Sequence, residues 1–144
     1  MKAFFQGAEA SVFKTIFFGE KCVLKKREKK AYRAKPLDEK IIAERTRQEC
    51  QLLAKAKNAG VRVPVILFVD KKKGEIFLEQ VYGKTVKNLP AKELEKICAL
   101  IGKNIATLHD AGIVHGDLTT ANIVKEKDGL AFLDFGLGFF SGKT

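Results

Sequence analysis

Apolar and polar positions in the first part of the chain alternate over short runs. Residues 2–6 (KAFFQ) and 10–18 (ASVFKTIFF) are rich in Val, Ile and Phe and flank a Gly7-Ala8-Glu9 break, which predicts two strands. Gly19-Glu20 predicts a hairpin turn into a third strand over 21–27 (KCVLKKR), and the basic stretch 28–36, ending in Pro36, predicts a loop. The spacing then changes. Over 37–59, Ile42, Thr46, Glu49, Leu53 and Ala56 recur at intervals of three and four, a helical stripe with Asp38 as the expected cap and Gly60 past the end. Glu49 puts a carboxylate on the stripe that should face the core. Burying it unpaired is costly, so it must lean to solvent or meet a cation.

Beyond Pro64, residues 65–70 (VILFVD) and 75–81 (EIFLEQV) predict a second hairpin around Lys71-Lys72-Lys73-Gly74, and 82–90 reads as a connector. A second helical stripe runs over 91–111 through Leu94, Ile97, Ile101, Ile105 and Leu108, stopped by Gly112. Two short strands follow, near 122–126 and 130–134, with Lys127-Asp128-Gly129 as the turn. Strands first, a helix second and a small β-ribbon last make an α+β arrangement in two parts.

Composition narrows the class. The 144 residues are 46% apolar and 31% charged, which is globular rather than disordered composition and suits one main core. No apolar run approaches the roughly 20 residues needed to span a bilayer, so an integral membrane protein is not expected. The start, MKAFFQGAEAS, lacks the long apolar region of a secretory signal. Cys22, Cys50 and Cys98 are odd in number and form no CxxC pair, which argues against a disulfide framework or zinc site and predicts a reducing, intracellular compartment. The 27 Lys and Arg exceed the 17 Asp and Glu by 10, and most of that excess is local: Lys14 to Lys35 carries nine basic and two acidic residues, net +7. Such a cluster can attract phosphate-bearing partners, ATP or RNA among them; it also reads as a solvated basic face with one loop. Phe17, Phe18 and Tyr32 are too few there to predict a base-stacking platform.

The densest polar cluster is His115-Gly116-Asp117-Leu118-Thr119-Thr120-Ala121-Asn122, after a helix and before a strand. Twelve residues past Asn122 comes Leu133-Asp134-Phe135-Gly136. This spacing sets two carboxylates and a carboxamide on loops at the ends of adjacent short strands. Hard oxygen ligands suit Mg²⁺, which takes one or two carboxylates and fills its shell with phosphate oxygens and water. Asn122 and Asp134 are the expected metal ligands, and Asp117 the group that orients or deprotonates an attacking hydroxyl or water. A polar turn followed by an unrelated Asp-Phe-Gly is the competing account.

His-Gly-Asp, four residues, Asn122 and then Asp-Phe-Gly resemble the catalytic segment of the protein-kinase-like fold, with Gly116 where most protein kinases carry Arg. The resemblance extends upstream. Lys25, in Val23-Leu24-Lys25, resembles the strand lysine that holds the α- and β-phosphates, and Glu49 the helix glutamate that pairs with it. That pairing accounts for the carboxylate on the apolar stripe, against the alternative of a surface lysine and a solvated glutamate. Lys26 is a rival candidate, but strand alternation sends it to the opposite face. Gly7, Ala8 and Glu9 stand where a glycine-rich phosphate loop would be. A single glycine replaces G-x-G-x-x-G, so the loop is stiffer than a generic kinase loop.

The strings QGAEASVF, TRQE (Thr46–Glu49), AGVRVPVILFVD, HGDLTTANI and DFGLGFFS, spread over residues 6 to 141, resemble one narrower family: the atypical kinase/ATPase subunit of the KEOPS complex, also called the p53-related protein kinase family. That resemblance implies a two-lobed protein-kinase-like fold. The N-lobe over 1–81 would be an antiparallel sheet with one helix, and 82–144 a strongly reduced C-lobe carrying the catalytic loop and DFG segment. It implies ATP and Mg²⁺ as cofactors. It also implies atypical serine/threonine kinase or ATPase activity in support of N6-threonylcarbamoyladenosine formation on tRNA. The implied partners are the threonylcarbamoyltransferase subunit, a small KEOPS accessory subunit and, through the complex, tRNA; the implied location is cytoplasmic, and nuclear as well in a eukaryote. Family members continue with a helical segment and a basic tail where this sequence stops at Thr144, and no activation loop or APE-like segment is present. Control by loop phosphorylation is not expected.

Two alternatives stand beside this reading. A RIO-like or small-molecule kinase shares HGDL-x₃-N, and a non-hydrolysing nucleotide-binding scaffold for the transferase and tRNA would suit the basic window. Gly142-Lys143-Thr144 is not a P-loop, because Leu137 occupies the required upstream glycine position. His115 is expected to brace the catalytic loop, and His109 to be structural or exposed.

Overall fold

The computed structural model describes residue 3, residues 5–6 and residues 10–142. The chain divides into two compact units: the residues up to Cys50 with Val65–Gln80, and Gln51–Pro64 with the residues from Val81 on. Residues 51–64, which a linear split after residue 81 gives to the first part, cluster with the second.

The first unit is built on five strands: β1 (Phe5–Gln6), β2 (Ala10–Phe17), β3 (Glu20–Arg27), β4 (Ile66–Asp70) and β5 (Glu75–Glu79). Their order is β1-β2-β3-β5-β4, with every neighbouring pair antiparallel. The β2–β3 turn is Phe18-Gly19, at φ 48° and 81°, one residue earlier than expected. A two-residue hairpin loop with left-handed residues matches the twist of the strands it joins, and only this placement puts Gly19 at its second position.

Helix α1 (Lys35–Asn58) crosses from the first unit into the second. It begins two residues before the expected start, because Pro36 fits the first turn, where its missing N–H costs nothing. Asp38 is therefore not the cap. It lies buried inside the first turn, where Oδ2 accepts the Lys30 backbone N–H (3.2 Å) and Oδ1 the Arg33 Nη1–H (3.2 Å), folding the basic loop back onto the helix. The stripe runs as its spacing predicts: Ile42, Thr46, Glu49, Leu53 and Ala56 are all buried. The Thr46 hydroxyl donates to the Ile42 carbonyl at 2.7 Å, so its burial leaves no unmet donor. Past the end, the Gly60 and Val61 N–H groups donate to the Lys57 and Ala56 carbonyls, closing the last turn.

The second unit holds β6 (Lys84–Thr85), α2 (Ala91–Asp110), β7 (Ile113–Val114), β8 (Ile123–Glu126), β9 (Gly129–Phe132) and β10 (Phe139–Phe140). β6, β8 and β9 form one small antiparallel sheet, and β7 pairs with β10. The stretch expected as a plain connector thus supplies a strand, too short for a period-2 pattern to show. The core here is Leu52, Leu108, Ile113, Phe132 and Phe135, all close to fully buried. On α2, Ile97 and Leu108 are buried, while Leu94, Ile101 and Ile105 are half-buried. Among the described residues no helix is long and apolar enough to cross a membrane.

Candidate active site

In the first unit, β3 and α1 bring three charged side chains together. Lys25 Nζ donates to Glu49 Oε1 at 2.6 Å, and Arg27 Nη2 donates to Glu49 Oε2 at 3.0 Å. All three are buried, with Glu49 at 2% exposure. Of the two options for a carboxylate on the stripe, leaning to solvent or meeting a cation, the structure shows the second, doubled. Register explains the selection of Lys25. Its Cα neighbours across the sheet are Val12 and Ile76, so the stem lies among apolar side chains. Lys26 lies at 3.7 Å from Glu75 with its side chain 44% exposed, as alternation predicts. Arg27 was not anticipated. Its signal was available, since residues two apart on a strand share a face and Lys25 had already been assigned to the helix side.

Beside this cluster, Cys50 is a poor nucleophile. Burial pushes its thiol pKa from 9.0 up to about 11, and the Glu49 charge adds to the rise, while Lys71, Arg27 and Lys25 oppose it. Gly7, Ala8 and Glu9 lie outside the described residues.

In the second unit the candidate residues are held by main chain. β7 delivers His115, and β10 returns antiparallel beside β7 with Phe139 opposite Val114. His115 is buried, and its ring packs on Phe135 with centroids 4.5 Å apart. The Asp117 N–H donates to His115 Nδ1 (3.2 Å), so that nitrogen is an acceptor. The proton must then sit on Nε2, which donates to the Leu133 carbonyl at 2.7 Å. A neutral imidazole with both nitrogens engaged is a brace, as expected, and is spent as a general base. Gly116 sits at φ 84°, and a Cβ built there would fall 2.1 Å from the Leu137 carbonyl oxygen. That approach excludes the arginine most protein kinases carry here, or any other side chain.

Asn122 ends a 3₁₀ turn and donates Nδ2–H to the Asp117 carbonyl (2.9 Å) and, more weakly, to Asp117 Oδ2 (3.4 Å). Its Oδ1 is thereby turned to the remaining side. The Leu133 N–H donates to the Asn122 carbonyl at 2.8 Å, which sets Asp134, the next residue, close to Asn122. Asp134 lies beyond β9, not within a strand over 130–134, and has φ 59°, left-handed for a residue with a Cβ. Its Oδ1 accepts the Gly136 N–H at 3.2 Å. Such a conformation costs on the order of 1–3 kcal/mol and is held by its surroundings, here Phe135 at 0% exposure and the Leu133–Asn122 bond.

The donor set fits Mg²⁺. The Asn122 amide oxygen and the Asp134 carboxylate are hard ligands of the number this ion takes from protein when phosphate oxygens supply the rest. Among the described residues, no group of three or more His, Cys, Asp and Glu side chains could hold a metal by itself.

A family model described as the RIO domain matches residues 7–137. A KEOPS complex subunit Bud32 from Pyrococcus abyssi is 41% identical over 150 positions, which cover 97% of this chain and 68% of that protein. A probable bifunctional tRNA threonylcarbamoyladenosine biosynthesis protein from Methanothermobacter thermautotrophicus is 42% identical over 94% of this chain, which spans 25% of that longer protein. Among solved structures, the Rio2 kinase–ADP/Mg²⁺–phosphoaspartate complex from Chaetomium thermophilum superposes with a TM-score of 0.74, over 96% of this chain and 48% of that one. At 16% identity it shows the fold alone: an α+β, reduced kinase-like fold, as the resemblance implied. The RIO-like alternative and the KEOPS-subunit reading thus meet in one family.

Proposed function

Because the chain belongs to the RIO domain family, in the lineage of the KEOPS subunit Bud32, we propose that it is an atypical kinase or ATPase using Mg-ATP. In this reading it serves a KEOPS complex that forms N6-threonylcarbamoyladenosine on tRNA, in the cytoplasm or nucleus. Its partners are the threonylcarbamoyltransferase subunit and a small accessory subunit.

The observation that carries the reading is the wiring of residues 115–136. His115, Asn122 and the Leu133 backbone fix Asp117 and Asp134 as one piece. Mg-ATP supplies the phosphoryl group and neutralises its charge. Asn122 Oδ1 and the Asp134 carboxylate would hold the ion. Asp117 aligns the attacking hydroxyl or water and takes its proton on a carboxylate oxygen. Within the first unit, Lys25, held by Glu49, is the candidate phosphate-binding lysine. Catalysis of this kind is positioning and charge neutralisation, with little for the protein to do covalently.

The test is phosphate release from Mg-ATP by the chain and its Asp117→Ala variant, each with and without the transferase subunit. Release that requires both Asp117 and the partner is expected, with Asp117→Ala lowering it at least about 100-fold. Equal release by both forms would remove Asp117 from the chemistry. Nucleotide binding with no release in any combination would leave a binding scaffold in place of the enzyme.

A further inference from the structure

We propose that a lysine-rich corner of the first unit binds RNA through its phosphate backbone; the inference rests on the tRNA-directed part of the proposed function and places it on the molecule. Two segments far apart in sequence meet there. The Arg27 N–H donates to the Gly74 carbonyl at 2.9 Å, where β3 passes into the basic loop and the β4–β5 turn passes into β5. Gly74 has φ 67°, and a Cβ on it would run into the Ile42 side chain and lie 3.2 Å from Arg27 Cβ. The turn is therefore seated on both β3 and α1. Lys71, Lys72 and Lys73 fill the three positions before Gly74, all exposed. Lys29, two residues past Arg27, is exposed, and so is Lys35, which opens α1.

The sequence shows a basic window at 14–35; only the fold adds the second lysine run to it. The loop joining Lys29 to Lys35 is held in shape by the two bonds to Asp38, so part of the ordering cost of binding is already met. Among the described residues, none of these five lysines enters an ion pair, whereas their neighbour Lys26 lies 3.7 Å from Glu75. Tyr32 stands 78% exposed beside them, with the Arg33 guanidinium 5.4 Å from its ring centroid, a face on which an unpaired base can stack.

The chemistry favours nucleic acid over an acidic protein. Protein interfaces are anchored by an apolar centre inside a polar rim. Here the basic loop 28–35 and the turn 71–74 expose one large apolar side chain of their own, Tyr32, with Leu37, Leu67 and Phe68 exposed on the elements that flank them. A phosphate backbone asks only for spaced, mobile cations, whose binding releases condensed counterions.

The experiment measures binding of an unmodified, labelled tRNA transcript to the full chain across a KCl series. The variants are Lys71→Gln/Lys72→Gln/Lys73→Gln and Lys29→Gln/Lys35→Gln. A charge-matched control, Lys92→Gln/Lys96→Gln/Lys103→Gln, alters exposed positions of α2. At about 0.7–0.9 per phosphate contact, the slope of log affinity against log salt should fall by about 2 in the triple variant and about 1.5 in the double. The control should keep the wild-type slope. A control that loses as much as the triple variant would overturn the proposal in favour of diffuse net charge. Polyglutamate that displaces the transcript at equal charge concentration would reassign the corner to an acidic protein. Phosphate release should be unchanged in the corner variants, and the salt slope unchanged in Asp117→Ala. Failure of the enzyme reading and failure of this one therefore appear in different columns of the same experiment.

Discussion

Glu49 is reached by Lys25 and Arg27 across 24 and 22 residues of sequence, and the three meet through side chains alone. Asp117, Asn122 and Asp134 instead fall within one run of chain, and what fixes them is mostly main chain: a left-handed Gly116, a left-handed Asp134, and amide bonds from Leu133 and Asp117. The first cluster is an electrostatic device on a regular sheet and helix, and would fail by losing a charge. The second is a conformational device on irregular loops, and would fail by gaining an atom. The two clusters are thus built in two different ways and have different vulnerabilities.

Glu49→Ala should have the largest effect. It leaves two buried cations without the carboxylate they share, a loss of about 3–5 kcal/mol for breaking a buried charge cluster. Urea unfolding measures it, and a loss below about 1 kcal/mol would mean that the cluster is far better solvated than its 2–9% side-chain exposures indicate. Gly116→Ala comes next. A Cβ at 2.1 Å from the Leu137 oxygen, at φ 84°, should cost about 2–4 kcal/mol through left-handed strain and backbone displacement. Gly129→Ala is the matched control. Nothing lies within 4 Å of its Cβ position, so it should stay within about 0.5 kcal/mol of wild type. If the two alanines cost the same, the second cluster is not conformationally determined and the contrast collapses.

Arg27→Met should be milder than Glu49→Ala, about 1–3 kcal/mol, because Glu49 keeps Lys25 when the arginine is gone. Arg27 also shows how far simple alternation reaches in this sequence. The strand, its register face and Lys25 follow from period-2 alternation, and the stripe through Ile42, Glu49 and Leu53 follows from helical spacing. The misplaced carboxylate on that stripe pointed to a buried ion pair. A second cation on Glu49 needed only the same alternation carried two residues further. Asp38 is a different kind of miss. Its side chain can cap a helix or close a loop, and which it does depends on Arg33 and the Lys30 backbone folding back, a non-local outcome. Asp134 outside its strand, and β6 in the supposed connector, were beyond propensity altogether. Two-residue strands and left-handed carboxylates are imposed by partners, here the Leu133–Asn122 and β6–β8 pairings, and leave no periodic trace.

The smallest expected effect is on Cys50, and it reports on the first cluster without altering it. Its thiol should be alkylated slowly by iodoacetamide at pH 8 and faster as pH approaches about 11, while the exposed Cys98 reacts first. Site-resolved mass spectrometry follows both. The sign for stability follows from the direction of the shift. A thiol pKa raised in the folded state from 9.0 to about 11 means that the folded form holds its proton more tightly, so this contribution is complete below pH 9 and is lost as pH rises to about 11. Burial is the larger cause and the Glu49 charge the second, against three cations that pull the other way. Cys50 alkylating as readily as Cys98 at pH 8 would mean that the cations dominate its surroundings, and that the negative side of the Lys25–Glu49–Arg27 cluster does not reach the residue next to it.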